Sequence, residues 1–136
     1  MPVEVVNPTS LPAPRGFSHG VLGPPGARTL CVAGMAGWSA GLPGEPPGFA
    51  EQFARALDQT LEVLRAAGGA PADVARMTVY VTDLAAYRAS TRALGALWRE
   101  RFGKHYPAMA LVEVKGLVDE GALVEIETTA LVPGAR

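Results

Sequence analysis

The chain has 136 residues, with 12 basic and 13 acidic side chains and a formal net charge of −1. That length suits one domain, residues 1–136, with a core of its own, and the charge balance excludes a surface built for nucleic acid or an anionic membrane. One cysteine, Cys31, excludes an intrachain disulfide framework and suits the reducing cytoplasm. The start, Met1-Pro2-Val3-Glu4, lacks the basic and apolar regions of a secretory signal, and no apolar run approaches the roughly 20 residues that span a bilayer.

Val3 to Val6 reads as a first strand, stopped by Asn7-Pro8. Pro12-Ala13-Pro14 is extended, because proline fixes φ and removes a donor. His19 to Leu22 and Arg28 to Ala33 read as a hairpin pair around the turn Gly23-Pro24-Pro25-Gly26. Gly37 to Gly48 holds four glycines and three prolines and is expected to be a surface loop. Phe49, Phe53, Leu57, Leu61 and Leu64 recur at the spacing of an amphipathic helix. Glu51 and Arg55, four apart, can pair on its wet side, and Gly68-Gly69 ends it, since glycine accepts the left-handed cap.

Val74 to Thr82 alternates as a strand: Ala75, Met77, Val79 and Val81 point one way, Arg76, Thr78 and Tyr80 the other. Asp83 can cap a second helix by accepting from the free N–H groups of its first turn. Tyr87, Leu94, Leu97 and Trp98 form the buried stripe of that helix, and Gly103 ends it. Tyr106-Pro107 turns the chain into two last strands, Ala110 to Val114 and the run Leu123 to Glu127. The order predicts an α+β fold: a single mixed sheet with two helices packed on one face.

The second face of that sheet, carrying Val74, Thr78, Tyr80 and Glu125, reads as half polar and half apolar. Such a face suits a subunit interface better than a monomer core. Glu125 and Glu127 share a face of the last strand, about 6.5–7 Å apart.

Some motifs carry no chemistry. Gly37-Trp38-Ser39-Ala40-Gly41 matches a nucleophile elbow, but that device needs a helix directly after it, and prolines follow here. The glycines around Gly34 and Gly37 lack a phosphate-loop Lys-Ser/Thr. Two histidines and one cysteine, scattered, do not make a zinc site. Neither a metal nor a cofactor is expected.

Several segments together resemble the RidA family of YjgF-type imine/enamine deaminases. They are Asn7-Pro8 with Leu11-Pro12, Gly16-Phe17-Ser18-His19-Gly20-Val21, Val32-Ala33-Gly34-Met35, Met77 to Asp83, Tyr106-Pro107-Ala108-Met109 and Gly121 to Glu127. They occur in the family's order and cover most of the chain. The resemblance implies a RidA-like, chorismate-mutase-like domain assembled as a trimeric barrel, with pockets between neighbouring chains. It also implies site residues. The family's N-terminal aromatic falls on Phe17, and its strand glycine on Gly34, followed by Met35 where Gln is usual. Its helix asparagine falls on Thr91 and its water-positioning glutamate on Glu125. The arginine that grips the substrate carboxylate falls on Met109.

A guanidinium–carboxylate pair is directional and charge-assisted, and a buried carboxylate without one keeps its desolvation cost. The expected ligand is therefore less anionic or more apolar than 2-iminobutanoate, against a soft wall of Phe17, Met35, Met109 and Leu111. Arg15, Arg28, Arg76 and Arg92 are the cations that could replace the missing one. Equally, Met109 and Leu111 fit simple packing between strands.

Glu125 is the expected catalytic residue, as a general acid/base or a water-orienting carboxylate. Its other reading is an interface carboxylate paired with a neighbouring cation. His19 could shuttle a proton or be structural. Glu127 reads as solvated or structural, and His105 as solvent-exposed. Two functions follow. One is a homotrimeric enzyme acting on an imine, enamine or related carbonyl compound by acid/base or water-addition chemistry. The other is a non-catalytic trimer that binds a metabolite or a protein.

Overall fold

The computed structural model describes residues 2–134. Helix α1, Phe49–Ala66, forms on the expected stripe, and Phe49, Phe53, Leu57, Leu61 and Leu64 are all buried. Each such side chain contributes about 1.5–3 kcal/mol by leaving water. Past the helix end Gly68 takes φ +81°. Its N–H reaches Arg65 O, and Gly69 N–H reaches Leu64 O, both at 2.9 Å. This double closure needs a left-handed residue, which glycine adopts without strain. Glu51 and Arg55 approach to 3.6 Å.

One polar side chain lies in the buried stripe. Gln52 is fully buried, and its amide is spent completely. Nε2 donates to the carbonyls of Pro47 and Gly121, both at 3.0 Å, and Oε1 accepts from Leu123 N–H at 2.8 Å. One side chain thus ties the 37–48 loop to the approach of the last strand. Gly37 lies flush against it; a β-carbon there would sit 2.7 Å from the Gln52 carbonyl carbon.

The main sheet comprises β3 (Arg28–Ala36), β4 (Val74–Val81), β5 (Ala108–Glu113) and β6 (Val124–Val132), in the order β3-β6-β4-β5. β4 and β5 are parallel and the other pairs antiparallel, so the sheet is mixed. β1 (Glu4–Val6) and β2 (Gly20–Leu22) form a separate antiparallel ribbon with Val5 opposite Val21. The expected hairpin between the second and third strands does not form, and the strands are not all in one sheet. Pro24 and Pro25 have no N–H to offer a ladder beside the turn. The turn closes on itself instead, with Ala27 N–H on Pro24 O at 3.3 Å, and β3 pairs with β6.

The second expected helix is two: α2, Leu84–Ala89, and α3, Thr91–Phe102. Asp83 caps α2, its Oδ1 accepting from Ala85 and Ala86 N–H at 2.9 and 3.3 Å. The break falls at Ser90, whose hydroxyl bonds back to Ala86 O at 2.8 Å and competes with the helical ladder. Leu94, Trp98 and Phe102 of α3 join α1 and Met77, Val79, Val81, Val124 and Ile126 of the sheet in one core cluster. The two long helices, α1 and α3, therefore cover one sheet face.

Val74 lies in that core, fully buried, not on the second face. The register slips between Val74 and Arg76, and the extra residue of this bulge reverses the alternation. His105 is half-buried, not solvent-exposed. Its Nε2 lies 2.7 Å from Val74 O and its own carbonyl accepts from Trp98 Nε1 at 2.9 Å. Among the described residues no helix is long and apolar enough to cross a membrane.

Candidate functional site

The expected site residues gather at two places, on opposite edges of the sheet. The first lies on the helix side, along β5. Met109 is the register partner of Met77, and Leu111 of Val79, so both share the face that α3 covers. With Thr91 and Gly95 of α3, and Phe53, Tyr87, Trp98 and Tyr106, they line a cavity of about 170 Å³. Trp98 stacks on Phe102 at 4.2 Å between ring centres and on Tyr106 at 6.0 Å. These stacks hold the aromatic wall rigid.

The segment before β2 is docked beside this cavity. Ser18 bridges to Ala108; its N–H donates to Pro107 O at 3.0 Å and its hydroxyl to Tyr106 O. Gly16 consequently lines the cavity, whereas Phe17 is 37% exposed and does not. Phe17 meets His19 edge-on at 5.7 Å. His19 is half-buried with its backbone N–H on Asn7 Oδ1 at 2.8 Å, and its Nδ1 is enclosed without a hydrogen-bond partner. His19 thus stands beside the N-terminal ribbon and outside the cavity lining.

The second place is the far end of β3. The β3–β6 register slips between Val32 and Met35, and this bulge sets Gly34 against Glu125. A β-carbon on Gly34 would overlap the Glu125 carboxylate, 2.9 Å from its Cδ. Only glycine leaves room for that carboxylate to lie against the backbone. Glu125 is half-buried, with no Arg, Lys or His within ion-pair distance among the described residues. Gly34 and Met35 also line a cleft of about 240 Å³ with Trp38, Arg55, Gln59 and Asp119. Arg55 stands over the Trp38 ring at 6.0 Å.

Glu125 and Met109 do not meet within one chain. They project from opposite faces, since Ile126 and Met77, beside them in the ladders, fill the core while Glu125 alternates away. Glu125 on β6 and Met109 on β5 are two strand spacings apart, about 10 Å, and Gly34 on β3 is three from Met109, about 14 Å. On the uncovered face beside Glu125, Tyr80 donates to Glu127 Oε1 at 2.6 Å. That bond holds the Tyr80 phenol above its ordinary pKa, because it favours the neutral donor.

Of the cations considered as substitutes, Arg76 lines a shallow hollow of that face with Cys31, Thr78 and Glu127. Among the described residues Arg28 reaches only Pro133 O, at 3.4 Å. None of the four lines the helix-side cavity. Arg55 is the cation beside Gly34 and Met35, and its spacing from Glu51 signals only an ion pair. Tyr87, Trp98 and Tyr106 read as helix stripe and turn; no periodicity separates a ring that fills a core from one that walls a cavity.

A mixed sheet covered on one face by two long helices, with a recess at its parallel edge, defines the structural class. The chain belongs to the endoribonuclease L-PSP family, whose sequence pattern matches residues 9–132. It is similar to the Rid family protein YyfB of Yersinia pestis: 33% identity, TM-score 0.80, over 97% of this chain and 100% of that one. A member of the YjgF/YER057c/UK114 family from Mycobacterium tuberculosis is 32% identical, with TM-score 0.62, over 96% and 99% of the two chains. RidA from an Antarctic Psychrobacter species is 26% identical, with TM-score 0.63, over 89% and 92%.

Proposed function

We propose that the chain acts as a homotrimer binding a small molecule between neighbouring copies. The helix-side cavity of one copy, with Thr91 and Met109, faces Gly34, Met35 and Glu125 of the next, and the uncovered sheet faces close into a barrel. The observation that carries this reading is the half-buried Glu125 carboxylate laid against Gly34 with no cation at ion-pair distance among the described residues. A carboxylate without an ion-pair partner keeps its lone pairs available to water or to a substrate proton.

The chemistry that fits is water addition to an imine or its enamine tautomer. Glu125 takes a proton from water as the oxygen bonds to the imine carbon. That proton passes to nitrogen to give a carbinolamine; Glu125 then moves the new hydroxyl proton to the amino group, the C=O bond forms as the C–N bond breaks, and the carbonyl compound and ammonia leave. The RidA resemblance places Met109 where the family's carboxylate-binding arginine stands, so 2-iminobutanoate is a poor substrate in this reading. Endonuclease chemistry, which the family description names, draws no support from a net charge of −1, since binding a phosphate backbone requires excess cations.

Glu125→Gln tests the proposal, since it keeps size and hydrogen bonding while removing titration. The trimer should persist by light scattering, and turnover of a neutral imine generated in situ should fall about 10²-fold or more. Loss of assembly in the variant, with no imine turnover by the parent protein, would transfer Glu125 to the interface and leave the non-catalytic binding trimer.

A further inference from the structure

The helix-side cavity has a chemical character beyond its proposed place in a shared site. Among the described residues, no Lys, Arg, His, Asp or Glu lines it. Its wall is four aromatic rings, Phe53, Tyr87, Trp98 and Tyr106, with Met109 and Leu111 from the strand. Its volume of about 170 Å³ is close to the roughly 150 Å³ of an apolar protein cavity that holds benzene. The polar side-chain groups carried by its lining residues are the hydroxyls of Tyr87, Thr91 and Tyr106 and the Trp98 indole N–H, which is spent on His105 O. Thr91 lies at the exposed start of α3, its hydroxyl committed only to a long 3.4 Å contact with Arg88 O.

Gly95 is the second observation. It sits mid-helix in α3, one turn beyond Thr91, and lines the same cavity. Glycine in a helix costs roughly 0.5–1 kcal/mol relative to alanine. Its φ is not positive, and the nearest neighbour of an added β-carbon is the movable end of Arg99, at 3.4 Å. Neither backbone nor packing calls for glycine there. The absent side chain leaves the cavity open at the price of helix stability.

We propose that this cavity is a pocket for an uncharged six-membered aromatic ring, with Thr91 hydrogen-bonding a neutral substituent at its mouth. The inference rests on the proposed ligand-binding role and names the substrate class: an aryl-bearing imine, enamine or carbonyl compound without a carboxylate. A ring is matched by the flat aromatic wall. A carboxylate in the same space would lose its hydration to a lining that offers no cation.

Benzamide and benzoate share one shape and differ in charge, so they isolate the claim. Titrated into the whole protein and followed at the Met109 methyl by NMR, benzamide should saturate at least tenfold tighter than benzoate. Gly95→Leu should fill the pocket and abolish benzamide binding. Gly95→Ala should melt higher than the parent and bind benzamide several-fold more weakly, a readout that stands if the leucine variant misfolds. Equal or tighter benzoate binding, no benzamide binding at millimolar concentration, or benzamide binding that both Gly95 variants leave unchanged overturns the pocket. Benzamide binding without turnover of any imine sinks the catalytic reading alone. Turnover of small aliphatic imines undiminished in folded Gly95→Leu sinks the ring pocket alone.

Discussion

Glu125 owes its position to a residue on another strand. Gly34 has no side chain, and the carboxylate occupies the space a methyl group would take. The clash that alanine would introduce is with the far end of a flexible side chain, which can swing away. Gly34→Ala should therefore cost little stability, under about 1 kcal/mol. It should displace the carboxylate by an ångström or more and lower turnover about 10²-fold. Denaturant melts beside steady-state rates would check the split; a stability loss with normal rates would refute the positional role. Tyr80 offers a second test at this scale. The Glu127 hydrogen bond raises its phenol pKa, so the fold favours the protonated form. That contribution is fully present below about pH 10 and is lost as pH rises through the raised folded value. Titration of the three tyrosines by carbon NMR should show Tyr80 ionising above an ordinary phenol and returning towards it in Glu127→Gln.

Elements are joined here by polar clamps as much as by apolar contact. Gln52 rises from the buried stripe of α1 and satisfies two carbonyls and one N–H of two separate loops. Leucine would match its volume and strand all three partners. Each orphaned buried group costs about 1–3 kcal/mol, partly recovered by local relaxation, so Gln52→Leu should lose about 2–3 kcal/mol by urea titration. A neutral result would show that water reaches those groups. The break between α2 and α3 is of the same kind: Ser90 ends one helix by bonding back to Ala86 O, and α3 starts at Thr91 beside the cavity. Trp98 then carries its indole N–H to His105 O while His105 reaches Val74 O. The start of β4, the end of α3 and the turn into β5 are thereby held as one unit.

At the scale of the molecule, the sheet has one covered face and one bare one. The bare face mixes Cys31, Arg76, Thr78, Tyr80, Val112, Glu125 and Glu127, a composition closer to an interface than to a solvated surface. Met109 on β5 and Glu125 on β6 lie on opposite faces about 10 Å apart across the sheet, with Gly34 on β3 about 14 Å away, so a shared pocket requires a second copy. A rotational assembly that sets the β5 edge of one copy against the β3 edge of the next repeats without leftover halves. Light scattering coupled to size exclusion should return three times the chain mass at micromolar concentration. A monomer mass would remove both the barrel and the shared site.

Much of the fold was legible along the chain because it rests on local rules. Helical spacing placed α1, glycine placed its end, Asp83 placed the next helix start, and strict alternation placed β4. Long-range choices were not legible. The partner of β3 depends on which ladder offers donors, and Pro24-Pro25 removed the neighbouring one. Val74 changed faces because a single extra residue in a bulge puts the side chain before it out of step with those after it, and nothing in the local pattern marks that insertion. His105 became half-buried through a carbonyl 31 residues away. The site shows the same division. The sequence by itself singled out Phe17, Gly34, Met35, Thr91, Met109 and Glu125 by resemblance, residue by residue, and His19 by its side-chain chemistry. The tertiary structure decided their grouping: Thr91 and Met109 with a ring-lined cavity, Gly34 and Met35 with Glu125 at the far edge, Phe17 and His19 beside the ribbon. Spacing along a strand sets which face a side chain takes. Sheet order, which arises from pairings distant in sequence, sets which residues can touch one ligand.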